Sequence, residues 1–90
     1  MTQVINDADA VRSFRERVED ARREVARTRS ALERSLQDVR ISWRDARAEA
    51  AEREVLEATE EMKRFERDAD QTAQWLRELE SRIRRYASGG

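Results

Sequence analysis

Proline, cysteine and histidine are all missing from this 90-residue chain, and its only two glycines are the last two residues. Without Cys there is no disulfide frame, no thiolate nucleophile and no Cys zinc site. Without His, a Ser-His or Cys-His pair cannot form and the commonest metal ligand is gone. Without internal Gly there is no phosphate-cradling loop. No 20-residue apolar run and no signal-peptide core is present. These absences remove most enzyme classes. The chain is expected to be non-enzymatic, with no catalytic, cofactor-binding or metal-binding residues and no membrane span. It is expected to be cytoplasmic, and any export would proceed without a signal peptide.

Charge is what the chain has in abundance. Charged side chains make up 43% of it, apolar ones 38%, yet the net charge is only −1. Such charge often marks disorder. Here the two signs are mixed and the apolar residues recur regularly. Arg, Ala and Glu dominate, all good helix formers. Lys63 is the only Lys among nineteen basic residues, which suits Arg-mediated ion pairing.

Asn6 and Asp7 are N-cap candidates, with Val4 and Ile5 placed for a hydrophobic staple. Val11, Phe14, Val18, Ala21, Val25, Thr28 and Leu32 then alternate at spacings of three and four, a heptad seam on one helix face. Leu36, Val39 and Trp43 follow after a four-residue step that reads as a stutter. The second seam is Ala48, Ala51, Val55, Ala58, Met62, Phe65, Ala69, Thr72, Leu76, Leu79, Ile83 and Tyr86, unbroken.

A single rod of this length would reach roughly 120 Å. Three features predict a fold-back instead. The two seams are out of phase. Ser42-Trp43-Arg44-Asp45 has capping-box spacing, so Ser42 could cap a new helix. The charges also match on folding back. Residues 22–47 hold eight Arg against four acids, and residues 49–61 hold six Glu against one Arg. Asp7 and Asp9 would meet Arg82, Arg84 and Arg85. The expectation is an all-α, antiparallel two-helix hairpin forming one domain, 1–90. Helix one covers about 7–41, the turn about 42–45, helix two about 46–86, and a flexible tail 87–90. One seam between two helices makes a weak core at this size, so dimerisation into a four-helix bundle is expected.

Two helices of near-equal length around the central Ser42-Trp43-Arg44-Asp45, the opening Ile5-Asn6-Asp7-Ala8-Asp9 and the late Tyr86 resemble the WXG100, ESAT-6-like family of type VII secretion. Asp45 stands where that family usually has Gly, and Gly90 stands where its Tyr-x-x-x-Asp/Glu signal would end. The resemblance implies a small hairpin that pairs with itself or a related hairpin. It implies a partner, adaptor or substrate of a secretion or toxin-delivery system, with a secretion ATPase or toxin among its contacts. The alternative is a cytosolic coiled-coil scaffold with no secretion role.

The expected partner or dimer surface comprises Leu36, Trp43, Leu56 and Trp75, and the turn motif Ser42, Trp43 and Asp45. Trp43 either contacts a neighbouring subunit or plugs the end of the hairpin. Trp75 lies beside the second seam, where it either meets a partner or shields the seam edge. Ile41 could join the same surface. The Arg-rich stretch 22–47 lacks the net positive charge of a nucleic-acid binder, so no such partner is expected. The Glu residues lack the Glu-x-x-His pairs of a di-metal site. Gly89-Gly90 reads as an ordinary end rather than a conjugation tail.

Overall fold

The computed structural model describes residues 7–89 and contains two helices, α1 (Ala8–Ser42) and α2 (Ala46–Gly89). They fold against each other as an antiparallel hairpin, 67 × 19 × 15 Å. The long dimension is that of one helix, since the 44 residues of α2 rise 1.5 Å each.

Asp7 caps α1. Its backbone is extended, and its carboxylate accepts from the amides of Asp9 and Ala10 at 3.0 and 3.1 Å. These are two of the donors a helix start leaves unpaired. Asn6 and the Val4–Ile5 staple lie outside the described residues. α1 ends at Trp43, which is extended and returns its amide to Val39 at 2.8 Å. Ser42 is the last residue of α1 and does not cap α2, contrary to the sequence expectation. That role belongs to Asp45. Its Oδ1 accepts from Arg47 and Ala48 at 3.0 Å each, and its carbonyl takes the first helical bond from Glu49. An N-cap needs a side-chain acceptor on the residue just outside the helix, and Ser42 is still inside the previous one. α2 then runs on past Tyr86 to Gly89.

The inward face differs from the seams read in the sequence. In α1 the half-buried residues include the run Val11, Arg15, Val18, Arg22, Val25, Arg29, Leu32 and Leu36, with Ala8, Glu19, Ala26, Ser30 and Glu33 half-buried beside it. In α2 the matching set is Ala48, Glu52, Val55, Thr59, Met62, Glu66, Ala69, Ala73, Leu76, Glu80 and Ile83, each buried or half-buried. Both sets alternate at three and four without a break. The stutter after Leu32 therefore disappears: Leu36 continues the half-buried run, and Val39 and Trp43 keep its spacing although both are exposed.

Each helix thus carries three columns. The inner apolar column, running from Val11 in α1 and from Ala48 in α2, was read correctly. Its neighbour toward the partner helix lies four residues on and is ionic: Arg15, Arg22 and Arg29 on α1, and Glu52, Glu66 and Glu80 on α2. The column three residues on, assigned to the seam by sequence, instead lies outside. Phe14, Ala21, Thr28, Ala58, Phe65, Thr72 and Tyr86 are exposed, with Ala51 and Leu79 half-buried. Phe14 is 53% exposed and Tyr86 80%. Apolarity alone pointed to these residues; the interhelical ion pairs pull the Arg and Glu columns in and turn them out.

Candidate interaction surface

The ionic columns form a ladder along one side of the hairpin. Arg29 grips Glu66 through two bonds, Nε to Oε2 at 2.6 Å and Nη2 to Oε1 at 3.1 Å. Such forked pairing is the strong form of the Arg–carboxylate contact. Arg15 reaches Glu80 at 3.3 Å, and Arg40 pairs with Glu52. Repeating the 15–80 and 29–66 register places Arg22 level with Ala73, which offers no acceptor. Arg22 turns instead to Asp70 at 3.1 Å. Arg77 meets Glu19 at 2.8 Å, and Arg84 meets Asp9 at 3.0 Å. The sequence expectation that Asp9 would lie beside Arg84 is thereby met. In every pair the α2 member lies further from the turn than its α1 partner. Cβ atoms lean toward the N-terminus of their own helix, so α1 side chains lean away from the turn and α2 side chains toward it.

Burial makes these pairs matter. Glu66 is only 6% exposed. The hydrogen bonds from Arg29 hold its carboxyl below the usual glutamate range, against the opposing pull of burial. Arg40 does the same for Glu52. At Glu80 burial pushes upward, and the bonds from Arg84 and Arg15 outweigh it. The Arg15 Nε is buried with no acceptor among the described residues. Thr59, the other buried polar residue of α2, returns its hydroxyl proton to the Leu56 carbonyl at 2.9 Å.

The turn is a second built feature. The Asp45 carboxyl lies below the ordinary aspartate range, chiefly through the Ala48 amide and then the Trp43 side chain. Leu36, Trp43, Arg44 and Ala48 line a shallow recess beside it. Leu36 and Trp43 are therefore brought together at this recess.

Leu56 and Trp75 do not join them. Leu56 follows Glu52 by four residues and lies beyond the ionic column, on the ladder side of the hairpin. Trp75 precedes Leu79 by four and rims the opposite face. The four expected interface residues thus do not form one patch.

A different surface is continuous. The ladder joins the ionic column of α1 to that of α2, so the two outer columns share the other face. From Phe14 to Ser35 on α1 and from Ala51 to Tyr86 on α2, neither outer column holds a charged residue. In a chain that is 43% charged, this face is kept free of charge while charges occupy the helix–helix interface. Phe14, Phe65, Leu79 and Tyr86 were assigned to the internal seam by sequence and stand here instead. The signal that separates inner from outer columns is their charge. A column with opposite-sign partners on the facing helix can turn inward, and a column with no charge at all is reserved for something else.

Among the described residues no helix is long and apolar enough to cross a membrane, and no group of acidic side chains could hold a metal ion. No protein-family model, curated protein or solved structure matches this chain.

Proposed function

We propose that the chain is a non-enzymatic protein-interaction module, a WXG-like helical hairpin serving as partner, adaptor or substrate of a type VII-like secretion or toxin-delivery system. One observation supports the interaction reading above all: the broad charge-free face outside the hairpin's own helix–helix contact. An uncharged face that exposes Phe14, Phe65 and Tyr86 is the kind of surface that marks association. The midpoint Trp43 turn supports the WXG likeness, with Asp45 performing as an N-cap where that family usually has Gly.

The test is affinity capture from the native host with three tagged baits: wild type, Phe65→Glu and Leu56→Glu. Phe65 and Leu56 are equally exposed, at 42% each, but lie on opposite faces. The expected result is a secretion ATPase, toxin or related hairpin retained by wild type and Leu56→Glu and lost with Phe65→Glu. Recovery of cytosolic proteins alone would favour the scaffold reading. Capture indifferent to Phe65 would remove this face from the function.

A further inference from the structure

We propose that the charge-free face is a docking groove for a single amphipathic helix of a different protein, one whose apolar stripe is bordered by Lys and Arg. The proposal rests on the interaction reading above and adds the chemistry of the occupant.

The rims of the face carry the argument. Three residues beyond each outer-column position lies the column that borders the face on its solvent side. Toward the turn this border holds Glu24 and Asp38 on α1 and Glu54, Glu61 and Asp68 on α2, all exposed. Away from the turn it holds Arg17, Trp75 and Arg82, also exposed. On the ladder side, Glu19, Glu52, Glu66 and Glu80 are each held by an Arg of the facing helix. On the rims, Asp38, Glu54, Glu61 and Asp68 have no ion partner among the described residues, and Glu24 has only Arg27 at 3.9 Å. Carboxylates that the fold does not neutralise thus border an uncharged surface that the fold does not close.

The occupant follows from size and sign. The groove between the outer columns runs from Tyr86 to Ala51, roughly 50 Å at 1.5 Å per residue. That is the length of about five helical heptads. An apolar helix face laid in such a groove is a common mode of recognition. The chain exposes 6902 Å², roughly 1400 Å² more than a compact monomer of its mass, 10.6 kDa, would expose. A standard interface takes about 800 Å² from each partner, so a docked helix has surface to cover. It would also close the open side of α1, which has no fully buried residue of its own. Sign then selects the occupant. Acidic rims repel an anionic lipid surface and a nucleic acid alike. A second copy with its turn at the same end would set these acids against acids. Stacked head to tail about the middle of the face, it would set Asp68 against Asp68. Like charges brought together in this way suppress pairing. A helix bordered by Lys and Arg instead meets all five carboxylates with opposite charge.

Two fluorescent synthetic helices of about five heptads test this by anisotropy against the whole chain. Both carry the same heptad stripe of Leu and Ala; one is bordered by Lys throughout and the other by Glu. The Lys-bordered helix is expected to bind about tenfold tighter or better, and to weaken as salt is added. The double variant Glu61→Lys with Asp68→Lys should weaken it about tenfold. Phe65→Glu should weaken it at least ~30-fold, although that change adds negative charge, while Leu56→Glu leaves it unchanged. Equal binding of the two helices, binding of neither, or Lys-bordered binding that survives Phe65→Glu would overturn the proposal. So would a wild-type dimer in sedimentation that Phe65→Glu dissociates and Leu56→Glu does not, because the chain would then fill its own groove. The two readings fail separately. Host capture that is lost with Phe65→Glu, beside synthetic helices bound without preference, overturns the partner chemistry alone. Host capture indifferent to Phe65 removes the face from both.

Discussion

Asp45 shows how much one carboxylate organises at a junction only three residues long. It accepts from two amides at the start of α2, and the neighbouring Trp43 side chain further stabilises its charge. Asp45→Ala removes the cap and should lower the thermal midpoint by roughly 4–8 °C, whereas Asp45→Asn, which keeps an acceptor, should lose much less. Circular dichroism melts of the three proteins check this. That a turn falls here was legible from Trp43 and the phase break. Which side chain caps was not, because Ser and Asp are both good caps and the choice depended on where α1 stopped. α1 runs through Ser42, so of these two only Asp45 stands outside both helices.

Within the elements, the ladder follows from a simple asymmetry. Removing one member of a buried pair strands the other. Arg29→Met should therefore lower the thermal midpoint strongly, since Glu66 is buried and loses both of its strongest bonds. The double variant Arg29→Met with Glu66→Leu should recover most of that loss, because apolar residues of similar size often replace a buried pair without penalty. Arg15→Met should be milder than Arg29→Met. Glu80 keeps Arg84 at 3.0 Å, and the Arg15 Nε has no acceptor to lose. A double variant no more stable than Arg29→Met alone would remove the ladder from the account of stability. The helices themselves were readable from composition and three-four spacing. The second column of each seam was not. An Arg every seven residues reads as solvent-facing until a matching Glu column is laid against it, and that match requires the register of the folded pair.

At the scale of the whole molecule, stability should follow the carboxylates. Asp45, Glu52, Glu66 and Glu80 all have lowered pKa values in the folded chain. A lowered folded value contributes stability that is fully present above the unfolded value, about 4, and is lost as pH falls through the folded one. The thermal midpoint should thus stay nearly level from pH 7 to about pH 5 and drop progressively below about pH 4. Protonation also leaves nineteen Lys and Arg side chains without counter-charge, adding self-repulsion. Most of the ladder is partly exposed, so salt at neutral pH should weaken it by screening. A midpoint that rises on acidification would contradict the direction of all four shifts. The fold-back was legible at this scale because the basic part of α1 and the acidic part of α2 announce each other in the charge pattern.

The ladder is also nested. Arg40 and Glu52 stand 12 residues apart in the chain, Arg29 and Glu66 37, and Arg84 and Asp9 75. Closing a loop costs more entropy as it lengthens, so the rung beside the turn is the least costly to form from an open chain. Once it has closed, each next rung adds only a short further stretch on either side. Assembly is therefore favoured from the turn outward, in the manner of a zipper. The far ends of both helices come last, and they are the first to part when the hairpin opens.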